Sequence, residues 1–224
     1  MLKMKLQKTI AAVTIAGLLG GCAMTQNERT AVGAVSGAVV GGVIGHQIHG
    51  KNGRYVGAVL GALAGGAIGR YMTQQQQDLQ QVLASSGITV SRIDEATIKL
   101  ILPEGITFAV NQANLRGSAY NSLNSIAGVL NKYPKTAVHV LGFTDSTGSE
   151  QYNMELSQRR ASAVSSYLAS QGVVSGRIVA RGYGENYPIA SNATVAGKAQ
   201  NRRAEIYIRA IEQGNEQAAY RPIF

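Results

Sequence analysis

Tryptophan is absent from this 224-residue chain, phenylalanine and histidine occur three times each, and cysteine once. The single thiol, Cys22, excludes an intramolecular disulfide framework and a thiolate zinc cluster. Acid is scarce, with 12 Asp and Glu against 21 Lys and Arg and a formal net charge of +9. The basic excess is scattered, with no Lys/Arg run and no stripe of basic and aromatic residues, so no nucleic-acid partner is expected. The GxSxG elbow, the P-loop (GxxxxGK followed by Ser or Thr) and HExxH are all missing, which removes the commonest signatures of hydrolytic and nucleotide-dependent enzymes. A composition of 45% apolar and 15% charged residues is that of a folded protein. What the chain has in excess is glycine, with 12 of its 27 glycines falling between Gly33 and Gly69.

Lys3, Lys5 and Lys8 precede an apolar run from Ile10 to Leu19 that ends in Gly20 and Gly21. This is the layout of a signal peptide covering residues 1–21, and its apolar run is too short to cross a bilayer. Leu19-Gly20-Gly21-Cys22 resembles the bacterial lipobox. That resemblance implies acylation of Cys22 by palmitate-type chains and cleavage before it, with residues 22–30 as the lipidated terminus. Loss of the three leader lysines leaves 18 bases against 12 acids, or +6. Ala23 stands where an aspartate would imply retention in the inner membrane, so the periplasmic leaflet of a Gram-negative outer membrane is favoured. The apolar segment that follows keeps the inner membrane as the alternative.

From Ala31 the glycines keep a period of four, Gly33, Gly37, Gly41 and Gly45, then Gly57, Gly61, Gly65 and Gly69. Period four marks a helical face, and small residues along it let a second backbone approach closely. The polar stretch from His46 to Arg54 between the blocks predicts an apolar glycine-zipper helical hairpin over residues 31–70. Each block is about 15 residues, or about 22 Å of helix, against about 30 Å of hydrocarbon. Three arrangements fit: a hairpin dipping into the membrane, a pair of short or tilted spans, and a bundle with other copies of the chain. His46 and His49 have helical spacing but no third ligand, and are read as a polar turn, with no metal site. The glutamines from Gln74 to Gln81 predict a polar helical stalk over residues 71–86.

From Gly87 the pattern is that of an α+β domain. Ile88 to Ile93 and Thr97 to Leu102 read as a hairpin, Ser118 to Lys132 as a helix and Ala137 to Phe143 as a strand. Glu150 to Gln171 reads as a second helix, Arg177 to Tyr183 and Arg203 to Ala210 as further strands, and residues 212–224 as a mostly disordered tail. Helices on one face of a small mixed sheet would give one core. Arg160 falls near the centre of the apolar stripe Leu156, Val164, Tyr167 and Leu168, so its guanidinium needs a partner. The turn after Phe143 carries Asp145 toward the same helix. A salt bridge that pins the loop and a ligand site stand level on these features. His139 faces away from Val138 and Val140, as a surface or interface residue.

Several spaced motifs bear on this choice: Gly142-Phe143-Thr144-Asp145-Ser146-Thr147-Gly148, Asn153 through Ala161, Gly182-Tyr183-Gly184-Glu185, and Asn201-Arg202-Arg203-Ala204-Glu205. In this order they resemble the OmpA-like C-terminal domain over residues 87–211. The resemblance implies non-covalent binding of peptidoglycan through the diaminopimelate of its stem peptide. It places Asp145 on the ligand's ammonium and Arg160 on its carboxylate. Thr144 and Asn153 line or brace the pocket, and Asn201, Arg202 and Arg203 supply polar contacts at its rim. Where many relatives carry a second aspartate, this chain has Phe108-Ala109-Val110-Asn111. No enzymatic role and no cofactor are expected. An acid and a fork-shaped cation together suit a group bearing both an ammonium and a carboxylate. The partners expected are therefore peptidoglycan and the membrane, with homo-oligomers through the zipper. The alternative is a glycine-zipper module that remodels bilayers while the domain only localises it.

Overall fold

Ile98, Leu100 and Leu102 alternate with Lys99, Ile101 and Pro103, and the first set is buried at 1% exposure or less. That period of two makes Thr97–Pro103 a strand, β2, paired antiparallel with β1, Thr89–Asp94. The computed structural model describes residues 62–109 and 111–224; the leader, Cys22, the paired histidines and the glycine blocks as far as Gly61 lie outside them. A short helix α2, Glu104–Thr107, follows β2, and then α3, Gly117–Lys132, turns Leu123, Ile126, Ala127 and Leu130 inward. The chain continues through β3 (Thr136–Phe143), α4 (Glu150–Ser170), β4 (Ile178–Gly182), α5 (Val195–Asn201) and β5 (Arg203–Ala210). The sheet order is β1-β2-β5-β3-β4, antiparallel except for the β3–β4 pair. The expected strands and helices are present within one or two residues of their predicted ends.

Ala204, Ile206 and Ile208 of β5 stand beside Val138, Val140 and Gly142 of β3, and this face carries the core with α3 and α4. The approach of α4 is set by glycine. A Cβ on Gly142 would lie 2.1 Å from the Ser157 carbonyl oxygen, and one on Gly182 would lie 2.3 Å from the Gln158 nitrogen. Only bare backbone lets the middle of α4 sit this close to the ends of β3 and β4.

Three expectations are corrected. The glutamine-rich segment is a helix, α1, Ile68–Leu83, but not a stalk: Ile68, Met72, Gln75, Leu79 and Leu83 form a buried stripe packed with α3. The other glutamines lie away from that stripe, and their run hides a period that begins at Ile68. Asp78 also accepts hydrogen bonds from Lys132 Nζ at 2.7 Å and from the Tyr133 hydroxyl at 2.8 Å. Gly65 and Gly69 of the second zipper block belong to this fold as well, Gly65 in a 3-10 turn and Gly69 in the first turn of α1 against Glu95. Finally, the tail is ordered. It crosses the sheet face opposite the helices, where Ala219 is buried and its carbonyl meets His139 Nε2 at 2.7 Å. His139, expected at a surface or an interface, is 1% exposed beneath that tail.

Arg177 is a buried cation with no carboxylate paired to it among the described residues. Its nitrogens donate to the carbonyls of Leu130, Tyr133 and Thr136 and to the Thr136 hydroxyl, at 2.7 to 3.0 Å, joining the end of α3 to the start of β3. Burial pushes its pKa down to about 10. No helix among the described residues is long and apolar enough to cross a membrane.

Candidate ligand-binding site

Four elements end at one edge of the sheet. Strand β3 delivers Thr144 and Asp145, and the Ser149 hydroxyl caps α4 by accepting from the Tyr152 amide at 3.2 Å. Helix α4, seated on Gly142 and Gly182, brings Asn153 and Arg160 to the same edge. Strands β2 and β5 pair through Pro103 and Arg203, so Glu104 and Arg202 flank that pair, and the Glu104 amide donates to the Arg202 carbonyl at 3.0 Å.

Asp145 and Arg160 do not pair directly. Asp145 Oδ2 accepts from Arg202 Nη1 at 2.7 Å, and Arg202 Nε donates to Glu104 Oε2 at 2.5 Å. Glu104 Oε1 accepts from Arg160 Nη2. The result is a chain of alternating charge, Asp145, Arg202, Glu104, Arg160, with no net charge. Arg160 is 1% exposed, its Nε donates to the Gln112 carbonyl at 2.9 Å, and its guanidinium lies 5.1 Å from the Phe108 ring centre. The loop that lacks the second aspartate therefore still touches the site, through backbone. The Arg202 side chain is 29% exposed and is the accessible cation of the set.

Burial opposes ionisation of Asp145, but hydrogen bonds from Arg202 and from the Thr147 amide outweigh it and hold the carboxyl below the usual carboxylate range. Arg202 is shifted upward, chiefly by its hydrogen bond to Asp145. Asp145 is thus a fixed anion, a poor proton acceptor and a good seat for an ammonium group.

The other expected residues divide. Asn153 is buried and its amide donates to Glu185 Oε2 at 2.7 Å, tying α4 to the loop after β4. Thr144 binds that loop through its amide, which donates to the Gly184 carbonyl at 2.8 Å, while its buried hydroxyl makes no hydrogen bond among the described residues. Asn201 accepts from the amides of Ile189 and Ala190 and donates to the Ala190 carbonyl and to Asn192, so it shapes a loop. Arg203 does not join the ion chain. It pairs with Glu205 at 2.7 Å, lies 4.0 Å over the Phe143 ring and donates to the Tyr187 carbonyl at 3.0 Å. Sequence reasoning missed Glu104. The signal was one of charge balance, since three arginines assigned to one site need more than one acid.

The OmpA family model matches residues 107–202, and that of the glycine zipper 2TM domain matches residues 32–73. The chain is 42% identical over 215 residues to the probable lipoprotein YiaD of Escherichia coli, a match covering 91% of this chain and 98% of that protein. The peptidoglycan-binding protein ArfA of Mycobacterium tuberculosis is 40% identical over 114 residues, which is 51% of this chain and 35% of ArfA. Among solved structures, the cell wall anchor of the T6SS from Pseudomonas aeruginosa aligns with a TM-score of 0.51 at 29% identity, over 64% of this chain and 96% of that one.

Proposed function

The chain belongs to the OmpA family, with a glycine zipper ahead of the OmpA domain, and on that premise we propose that it is a lipid-anchored tether that binds peptidoglycan without covalent chemistry. The ligand group is the free end of diaminopimelate in the stem peptide, where one carbon carries an ammonium and a carboxylate. The observation that carries this reading is the neutral ion chain from Asp145 to Arg160 at one edge of the sheet. A zwitterionic group adds no net charge to such a site, and each of its halves meets a complementary one. Asp145 takes the ammonium, and Arg160 with its neighbours takes the carboxylate. Asn153, Asn201 and Arg203 act through the loops they brace, and the Thr144 hydroxyl remains for a ligand or water.

Acylation at Cys22 supplies the membrane end. Each buried methylene contributes about 0.8 kcal/mol, so more than one chain gives a durable anchor. The periplasmic leaflet of the outer membrane is the location favoured by Ala23 after the cysteine. Names of relatives support the two ends separately, YiaD as a probable lipoprotein and ArfA as a peptidoglycan-binding protein.

Sedimentation with purified sacculi tests the wall end. The detergent-extracted full chain should co-pellet, and Asp145→Ala and Arg160→Ala should each reduce the pelleted fraction by at least about tenfold, the effect of about 1.4 kcal/mol per lost contact. Undiminished retention of both variants would overturn the assignment of the ligand to this site.

A further inference from the structure

We propose that the rings of Tyr187 and Phe224 form a platform for the glycan of peptidoglycan, on which one sugar lies flat while its stem peptide is held at the edge of the sheet. This rests on the reading of the site given above and adds to it a second contact, on the side of the sheet that the tail covers. Tyr187 is 47% exposed and Phe224 45%. They are not scattered surface residues, because their rings stack at 4.3 Å and 17°. A contiguous pair of large apolar groups left half in water marks a contact surface. The pair is also held from below. Phe143 and Tyr183, both buried, stack at 5.6 Å, and Tyr187 and Phe224 each meet the Tyr183 ring edge-on at 5.4 Å. Tyr187 has a φ of 61°, a left-handed backbone that bulky residues avoid, and its carbonyl accepts from Arg203 Nη2 at 3.0 Å.

The chemistry of the platform selects a sugar. Arg203, the cation beneath it, is 2% exposed and spends its nitrogens on Glu205 and on the carbonyls of Asn201 and Tyr187, so rings rather than charge face outward. A pyranose ring offers an apolar face of C–H bonds about as wide as a phenyl ring, and its hydroxyl and N-acetyl groups leave from the rim into water. The N-acetylated hexoses of a glycan strand therefore need no ion pair to settle on stacked aromatics. Position points the same way. Arg202 and Arg203 are consecutive, one bound to Asp145 and the other to the Tyr187 carbonyl, and the Thr144 amide binds the Gly184 carbonyl three residues before Tyr187. The platform thus adjoins the peptide site. Two residues of the stem separate diaminopimelate from the sugar, or about 7 Å of extended chain, so a stem held at Asp145 brings its sugar within reach of Tyr187.

The probes are the soluble disaccharide-tripeptide of peptidoglycan and the same tripeptide without its sugars, both ending in diaminopimelate. Titrated by calorimetry into the detergent-solubilised full chain, the first should bind at least about fivefold tighter than the second, the worth of one ring seated on an aromatic pair. Tyr187→Ala and Phe224→Ala should each bring that ratio to about twofold or less while the tripeptide alone binds as before. Tyr187→Phe, which keeps the ring, should retain the full ratio. If Phe224→Ala releases the tail and unfolds the chain, Tyr187→Ala decides by itself. Equal affinities of the two probes in the wild type, or a full ratio in Tyr187→Ala, would overturn the platform and leave the peptide site standing. A dimer in the wild type that Tyr187→Ala turns to monomer in analytical ultracentrifugation, with the ratio unchanged, would assign the rings to a contact between copies and overturn it as well. Tripeptide binding undiminished by Asp145→Ala would instead overturn the site on which the platform depends.

Discussion

His139 shows how a residue's chemistry is set by what covers it. On β3 it faces away from the core, yet the tail encloses it, and burial pushes its pKa below the usual 6.5. The contact with the Ala219 carbonyl works in the opposite direction, while Arg209 and Arg181 add to the depression. The folded protein keeps this imidazole neutral at pH values where the unfolded chain takes up a proton. Its contribution is complete above about pH 6.5 and declines as pH falls from there toward the depressed folded value. Thermal melts should therefore show Tm dropping between about pH 7 and about pH 5, and His139→Gln should flatten that part of the profile. A variant that retains the full slope would place its origin elsewhere. At the same scale, Arg160 was legible as a buried cation in need of a partner, because helical periodicity locates it. The identity of that partner was not, since Glu104 lies 56 positions away.

Among the elements, α1 departs furthest from expectation. Its stripe is interrupted by Gln75, which is fully buried while both polar atoms of its amide lack a hydrogen-bond partner among the described residues. Burying an unpaired amide costs on the order of 1–3 kcal/mol. Gln75→Leu should accordingly raise the stability of the folded domain by about 1–2 kcal/mol, read from the midpoint of urea denaturation. A fall in the midpoint would mean that the glutamine has a partner there. The same helix marks where the folded unit begins. A fragment cut at Gly87 would lose Met72, Leu79 and Leu83 from the core, whereas one starting at Ala62 keeps them. Gly65 and Gly69 repeat at the zipper's spacing, and the zipper family match extends to residue 73, into the folded part. Periodicity alone cannot distinguish a glycine that meets another helix from one that leaves room for Glu95.

Across the whole molecule the two ends are separated by the sheet. Leu63 is held parallel to Glu212, its amide donating to the Ile211 carbonyl at 2.8 Å and its carbonyl accepting from the Gln213 amide at 2.9 Å. That bridge lies where β3 begins and β5 ends, while Asp145 lies past the other end of β3, about 25 Å away along eight residues of strand. The candidate site therefore lies away from the place where the chain enters the domain. The tail completes the opposite sheet face. Phe224 stacks on Tyr187 at 4.3 Å and meets Tyr183 at 5.4 Å, and the Arg221 carbonyl accepts from Arg209 at 2.9 Å. Removing residues 215–224 should uncover Phe143, Tyr183 and Tyr207 and lower Tm by roughly 10 °C, measured by differential scanning calorimetry. An unchanged Tm would show that the tail only rests on the sheet. The sequence by itself determined the element types, the glycines that admit α4, and the acid and cation at the edge of the sheet, because each depends on local periodicity or on one backbone position. Only the tertiary structure decided that α1 and the tail belong to the core, and that Asp145 reaches Arg160 through Arg202 and Glu104. Those pairings span 57 and 98 positions for Arg202. They depend on how β2, β3 and β5 register and on how α4 is turned against them, which no local pattern encodes.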